Sequence, residues 1–129
     1  MKAKIEHIAM WVKDIEKMRL FYETYFGCSS ASKYVNDTGD FCSYFLSFKS
    51  GARLELMNHS KITNFMKQAE PLGFSHLAIS IGSKDEVNQL TKTLKAAGYK
   101  IISDPRMTGD GYYESVFLDP ENNKVELTI

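Results

Sequence analysis

Four side chains that can bind a metal ion occupy matched positions in two halves of the chain. His7 and Glu55 lie 48 positions apart (55 − 7), and His76 and Glu126 lie 50 positions apart (126 − 76). Two neutral imidazoles and two carboxylates suit divalent ions such as Zn, Ni, Co, Mn or Fe. The two carboxylate charges would also compensate the charge of a partly buried 2+ ion. The sequence therefore predicts one divalent metal ion bound by these four residues.

The four residues also share one side of the strands that the sequence predicts around them. Successive side chains of a strand point to opposite faces, so residues two apart lie on the same face. Each His opens, and each Glu lies within, a stretch in which every second residue is apolar. These apolar residues are Ile8, Met10 and Val12; Leu54 and Leu56; Leu77, Ile79 and Ile81; and Val125, Leu127 and Ile129. All four predicted ligands fall on the opposite face, and a register shift of one residue would reverse them.

The predicted elements have the same order in both halves, a strand, a helix and three further strands. In the first half the helix follows Asp14 and runs to about residue 26, and strands cover about 28–35, 41–49 and 52–57. In the second half Ser83 begins a helix that is closed by Gly98, and strands cover about 99–103, 112–118 and 123–129. The capping residues and the glycines are typical of helix ends. The sequence thus predicts an α+β fold of two βαβββ modules.

The predicted boundaries form one domain over residues 1–129, with module one at about 4–57 and module two at about 74–129. A linker covers about 58–73, in which residues 60–69 resemble a short helix that ends before Pro71 and Gly73. A chain of 129 residues has the length of a single domain or of two small modules.

Composition limits the classes of partner. The formal net charge is zero, so nothing favours binding to nucleic acid or to an anionic membrane. No apolar run reaches the roughly 18 residues of a membrane span, and the N-terminus lacks the apolar core of a signal peptide. Cys28 and Cys42 form no CxxC motif, which favours reduced thiols. We therefore expect a cytoplasmic protein that acts on a small molecule.

Nearly the whole chain resembles the vicinal oxygen chelate superfamily, which includes glyoxalase I. The resemblance rests on the segments IEHIAMWVKDIEKMRLFYETYFG, FSHLAISIGSKDEVNQLTKTLKAAGYKI and YYESVFLDPENNKVELTI. It implies that the two modules form a cupped mixed sheet with the helices outside, and that strands 1, 4, 5 and 8 supply the metal ligands. Those positions here are His7, Glu55, His76 and Glu126, a set similar to that of bacterial glyoxalase I. The resemblance also implies a homodimer, whose sites are either shared between chains or contained in one chain.

The implied activity is that of a glyoxalase I-like lyase or isomerase. Such an enzyme acts on a hemithioacetal or a similar 2-hydroxycarbonyl adduct through a metal-bound cis-enediolate. By resemblance Glu126 is the base that moves the proton, and Glu55 is the other candidate for this role. Two alternatives use the same fold: a non-haem iron dioxygenase, and a small-molecule binding or resistance protein.

One position departs from the glutathione-dependent members of the family. These have an Arg four residues after the first His ligand, and this chain has Trp11 there. An aromatic side chain cannot pair with the carboxylate of glutathione, which indicates a different or less anionic adduct. Trp11, Tyr112 and Tyr113 either line a substrate pocket or pack. Arg19 and Arg53 could each bind an anion. His59 is interpreted as structural.

Overall fold

Two compact units make up the chain, Met1–Phe65 and Met66–Ile129, and they contain modules one and two. The computed structural model describes residues 5–62, 74–109 and 111–129. In these residues each unit has one helix and one β-sheet, and the sheet begins with the strand that precedes the helix. The predicted α+β fold class is therefore confirmed. The second unit has the predicted order βαβββ, and the first unit has one strand more.

Module one has a sheet in which its first and last strands are parallel neighbours. The strand order is β1-β5-β4-β2, with β3 also paired to β4, and all pairs other than β1–β5 are antiparallel. Its elements are β1 (His7–Trp11), α1 (Ile15–Phe26), β2 (Ser29–Ser30), β3 (Tyr34–Val35), β4 (Phe41–Ser47) and β5 (Arg53–His59).

Module two repeats this arrangement. Its strand order is β6-β9-β8-β7, in which β6 and β9 are parallel and the other pairs are antiparallel. Its elements are β6 (Leu77–Ser80), α2 (Lys84–Ala96), β7 (Ile101–Met107), β8 (Tyr113–Leu118) and β9 (Lys124–Thr128). In both modules the first strand is thus held beside the last strand, and this pairing brings distant residues together.

The predicted helix ends are confirmed by their capping contacts. The Asp14 carboxylate accepts a hydrogen bond of 3.0 Å from the backbone N–H of Lys17. The hydroxyl of Ser83 accepts one of 3.2 Å from the N–H of Glu86. Gly27 ends α1 with a left-handed φ of 61°, a conformation that favours glycine. The side chains of Asp14 and Ser83 satisfy backbone donors that the first turns of the two helices leave open.

The apolar faces of β5 and β9 pack on α1 and α2, as the alternation predicts. The most buried side chains of β5 are Leu54 and Leu56, and those of β9 are Val125 and Leu127. The residues between them, including Glu55 and Glu126, are half-buried on the opposite face. The core side chains of α1 are Ile15, Met18, Phe21 and Tyr22, and those of α2 are Val87, Thr91 and Leu94. The predicted parity of all four ligand strands is confirmed.

The strand predicted at about 28–35 is divided into β2 and β3. From Ser30 to Tyr34 the chain advances four residues, while the paired residues of β4 advance only three, from Leu46 to Ser43. The extra residue makes a β-bulge, which interrupts the ladder. Hydrophobic alternation does not reveal such an insertion, so the sequence indicated one continuous strand.

The strand predicted at about 99–103 extends further than predicted, because β7 runs to Met107 and includes Pro105. A proline is tolerated here because β7 is the edge strand of its sheet, where one side of the backbone needs no partner. Its register against β8 shifts twice, between Ile101 and Ser103 and between Ser103 and Arg106. The strand predicted at about 52–57 likewise ends later than predicted, since β5 continues to His59.

The predicted linker lies mostly outside the described residues. Ser60 and Lys61 form a turn after β5, and the remainder of the short helix predicted at 60–69 falls in the segment 63–73 that the structure does not describe, as do Pro71 and Gly73. Among the described residues, no helix has both the length and the apolar character needed to cross a membrane.

Cys28 provides a pH-dependent test of the core of module one. Burial, and then the charge of Glu23, raise the pKa of the Cys28 thiol to about 11, from an ordinary value of 9.0. The folded state therefore favours the neutral thiol. This contribution to stability is complete below about pH 9 and is lost as the pH rises toward 11. We expect the free energy of unfolding, measured with urea, to fall by about 1–3 kcal/mol more in the wild type than in Cys28→Ala over this interval.

Cys42→Ala is the matched control, because Cys42 is a free but only half-buried thiol of the same module. This variant should keep the wild-type pH dependence. An equal loss of stability in wild type and Cys28→Ala between pH 9 and 11 would contradict the assignment.

Candidate metal centre

In module one the parallel pairing of β1 with β5 brings His7 close to Glu55. The register aligns Ala9 with Glu55, so His7 lies two residues before the partner of Glu55 and on the same face. The Nε2 atom of His7 is 3.7 Å from the Oε2 atom of Glu55. Two residues that are 48 positions apart in the chain are therefore neighbours.

Module two places its predicted ligands in the same way. The register aligns Ala78 with Glu126, and His76 again lies two residues earlier, immediately before β6. The Nε2 atom of His76 is 3.2 Å from the Oε2 atom of Glu126. The side chains of His7 and His76 are 40% and 39% exposed, and those of Glu55 and Glu126 are 14% and 18% exposed. The two His–Glu pairs thus have equivalent environments, with the carboxylate the more buried partner.

In each pair, the distance between the imidazole nitrogen and the carboxylate oxygen is close to the one expected when both atoms bind the same metal ion. Nitrogen and oxygen ligands lie about 2.0–2.2 Å from an ion such as Zn²⁺, so two adjacent ligands are about 2.9–3.4 Å apart. The pair in module two has this separation, and the pair in module one is a few tenths of an ångström wider. Within the described residues of either module, no third His, Cys, Asp or Glu side chain joins the pair in a group able to hold a metal ion. Each module therefore presents two donors.

An additional carboxylate that the sequence analysis did not select contacts His7. Glu6 immediately precedes β1, and its Oε2 atom forms a hydrogen bond with Nδ1 of His7, the ring nitrogen that does not face Glu55. The other oxygen, Oε1, accepts a hydrogen bond of 2.8 Å from Nε of Arg53. The hydrogen bonds from His7 and then from Arg53 hold the pKa of the Glu6 carboxyl below its ordinary value. Arg53, which the sequence suggested as an anion site, is thus already paired with an anion.

The corresponding partner of His76 is a hydroxyl group. Nδ1 of His76 lies 3.2 Å from Oγ of Ser75. Ser75 occupies the place in module two that Glu6 occupies in module one, one residue before the histidine. Neither partner was identified in the sequence, because both residues precede the strands and are exposed. Their position next to a strand-opening histidine is the signal that could have identified them.

Trp11 lies on the ligand face of β1, since it is four residues from His7. Its ring is 54% exposed and contacts the edge of the Phe41 ring at a centroid distance of 6.2 Å. Phe41 in turn contacts Tyr34 at 6.1 Å. We call these three side chains the aromatic surface of module one. Trp11 is therefore accessible to a ligand rather than packed in the core.

The two other aromatic candidates have different environments. Tyr113 packs against α2, because its hydroxyl donates a hydrogen bond of 2.7 Å to Oδ1 of Asn88 and its ring lies 5.1 Å from Nζ of Lys84. It is on the helix side of its sheet, opposite Glu126, and the packing interpretation is confirmed. Tyr112 precedes β8 and is exposed.

Arg19 and His59 have partners that belong to the scaffold. Arg19 forms ion pairs with Glu16 and Glu23 along α1, at 3.2 and 2.8 Å. His59 lies 3.6 Å from Asp40, and its Nδ1 accepts a hydrogen bond from the backbone of Lys61. The structural interpretation of His59 agrees with these contacts, and neither side chain joins the His–Glu pairs.

This chain is similar in sequence and in fold to several known proteins. The sequence model of the Glyoxalase/Bleomycin resistance protein/Dioxygenase superfamily matches residues 4–127. A stretch of 59 residues is 41% identical to the uncharacterized protein YqjT of Bacillus subtilis (strain 168), and it covers 43% of this chain but only 46% of that protein. The mitochondrial methylmalonyl-CoA epimerase of Bos taurus is 24% identical over 123 residues, which cover 92% of this chain and 68% of the epimerase.

Among solved structures, the trypanothione-dependent glyoxalase I of Leishmania major has a similar fold. The TM-score is 0.78, and the alignment covers 98% of this chain and 86% of that chain. The sequence identity is 19%, so this similarity shows the fold and leaves the substrate open.

Proposed function

The chain belongs to the Glyoxalase/Bleomycin resistance protein/Dioxygenase superfamily, and we propose that it is a metal-dependent, glyoxalase I-like lyase or isomerase. The observation that supports this proposal is the repeated His–Glu pair, with imidazole and carboxylate 3.7 Å apart in module one and 3.2 Å apart in module two. His7, Glu55, His76 and Glu126 would together hold one divalent ion. Two neutral imidazoles and two carboxylates would balance its charge.

The proposed reaction is the removal of a proton from a carbon next to a carbonyl group and its return to the neighbouring carbon. A bound divalent ion would stabilise the negative charge that develops on the substrate oxygens. Glu126 is the proposed base that takes the proton and returns it, and Glu55 is the other candidate for this role. Both carboxylates are mostly buried, as proton transfer without loss to solvent requires.

The substrate we propose is a hemithioacetal or a similar 2-hydroxycarbonyl adduct whose remaining part is less anionic than glutathione. Trp11 offers an exposed apolar ring on the ligand face, and the aromatic surface extends this region through Phe41 and Tyr34. Arg53, a cation on the same face of module one, is paired with Glu6. These contacts favour an apolar or aromatic group over a free carboxylate. Such an enzyme of thiol adducts would work in the cytoplasm, where the free thiols of Cys28 and Cys42 would remain reduced.

A second candidate is an epimerase acting on a thioester. The similarity to methylmalonyl-CoA epimerase supports it, since that alignment covers 92% of this chain. An epimerase would remove the same kind of proton but return it to the same carbon. The two activities are separated by assaying methylglyoxal with a series of thiols and by following the exchange of solvent deuterium into methylmalonyl-CoA.

Replacing Glu126 with Gln tests the role of the base separately from the binding of metal. The amide keeps an oxygen ligand but cannot accept the proton, so we expect turnover to fall by about 10²–10⁴-fold. Metal affinity, measured by calorimetry on the metal-stripped chain, should fall much less than in His76→Ala. Glu55→Gln is the matched control, because Glu55 has the equivalent position in module one.

Three results would contradict this assignment. Unchanged turnover in Glu126→Gln with a large loss in Glu55→Gln would transfer the role of base to Glu55. A wild-type chain that takes up no divalent ion would favour a metal-free binding protein of the same fold. Oxygen consumption on catechols by the iron-loaded chain would instead favour the dioxygenase alternative.

We also propose a homodimer in which each metal site receives one His–Glu pair from each of two chains. A mixture of His7→Ala and His76→Ala chains tests this arrangement, since a mixed dimer would contain one complete site. After refolding together, the mixture should bind about one quarter as much metal as the wild type, because half of the dimers are mixed and each has one of two sites intact.

Either variant alone should lack the complete site. If the refolded mixture binds no more metal than the separate variants, the four ligands come from a single chain.

A further inference from the structure

Glu6 is a carboxylate beside the His–Glu pair of module one that has no place among the four proposed ligands. It contacts His7 through Oε2 and Arg53 through Oε1, and the backbone N–H of Arg53 also donates a hydrogen bond of 2.9 Å to the carbonyl of Glu6. Since His7 and Arg53 are register partners in β1 and β5, Glu6 connects the same two strands that bring His7 to Glu55.

We propose that Glu6 is a positioning residue of the metal centre, which fixes the tautomer and the ring orientation of His7. A neutral imidazole carries its proton on one nitrogen and a lone pair on the other. Nδ1 is within hydrogen-bond distance of the Glu6 carboxylate, whereas Nε2 is 3.7 Å from Glu55, which is too far for a hydrogen bond. The proton therefore belongs on Nδ1, and the lone pair of Nε2 is left on the side of Glu55. A carboxylate in this place also makes the imidazole a stronger ligand. This inference rests on the proposed metal-dependent function.

Arg53 and Phe45 hold this arrangement in place. The guanidinium group of Arg53 lies 4.1 Å from the centroid of the Phe45 ring and binds Oε1 of Glu6 at 2.6 Å through its second nitrogen. The edge of the same Phe45 ring contacts His7, with a centroid distance of 5.3 Å and an interplanar angle of 87°. The imidazole is thus restrained by an aromatic ring and by a carboxylate. Arg53 also holds the Glu6 carboxylate against its guanidinium group, so that Glu6 does not compete as a ligand for the metal.

The two histidines of the proposed site have different hydrogen-bond partners. Ser75 is the counterpart of Glu6, and Lys124 is the counterpart of Arg53, two residues before Glu126 as Arg53 is two residues before Glu55. The hydroxyl of Ser75 is a neutral partner at 3.2 Å from Nδ1 of His76. A hydrogen bond to a charged acceptor is stronger than one to a neutral hydroxyl, so His7 should be the more firmly oriented histidine of the two.

The first test is metal affinity. In Glu6→Gln, the affinity of the metal-stripped chain for Zn²⁺, measured by competition with a coloured chelator, should fall by about 10–100-fold. Ser75→Ala should have a clearly smaller effect. Arg53→Met should lower the affinity as well, and should add little to Glu6→Gln in the double variant, because Arg53 acts through Glu6. Equal affinities of Glu6→Gln and wild type would overturn the proposal.

Glu16→Gln is the matched control. Glu16 also accepts hydrogen bonds from a cationic side chain, Lys33, but it lies on the helix side of module one, where it contacts Tyr44. Its replacement should leave the Zn²⁺ affinity unchanged. A similar loss of affinity in both variants would show that the effect of Glu6→Gln is a general loss of stability, and would overturn the positioning role.

The second test needs no metal. The ¹⁵N shifts of the ring nitrogens of His7 in the metal-free chain, at a pH where histidines are neutral, report which nitrogen carries the proton. We expect the Nδ1–H tautomer in the wild type and a loss of this preference in Glu6→Gln. An Nε2–H tautomer in the wild type would overturn the inference. If the wild type binds no divalent ion, the proposed function and the role of Glu6 in metal affinity both fail, and the ring shifts still decide whether Glu6 orients His7.

Discussion

The parallel pairing of the first and last strands in each module is the constraint on which the site depends. This pairing aligns Ala9 with Glu55 and Ala78 with Glu126, and the period of two along a strand then places His7 and His76 on the faces of these carboxylates. Because the apolar side chains on the other face of β5 and β9 are buried, a register shift would expose the core as well as separate the ligands. Folding and ligand placement therefore have the same cause.

The duplicated modules share this geometry but differ around it. Module one surrounds His7 with Glu6, Arg53 and Phe45, whereas module two gives His76 the hydroxyl of Ser75. The exposed ring of Trp11 also belongs to module one. The His–Glu pairs, which would bind the metal, are equivalent in the two modules. The modules differ in the residues that would orient a histidine or contact the substrate. The two modules thus share a fold but differ in the residues that contact their histidines.

Much of the fold could be predicted from the sequence, because hydrophobic alternation, helix caps and glycines at left-handed positions are local signals. The division of β2 from β3 could not, since it depends on one extra residue opposite β4. The extension of β7 through Pro105 depends on its position at a sheet edge, which is a property of the whole sheet. Spacing and parity identified the members of each His–Glu pair. Glu6 was not identified because its role depends on contacts with His7 and Arg53, the second of which is 47 positions away.

The central claim is that the two His–Glu pairs bind one and the same ion. The most direct measurement is the anomalous diffraction of a crystal of the chain loaded with Zn²⁺. We expect one anomalous peak per chain, bonded to Nε2 of His7, Nε2 of His76 and the carboxylates of Glu55 and Glu126, from one chain or from two. A peak bonded to other residues, or separate ions at the two pairs, would contradict it.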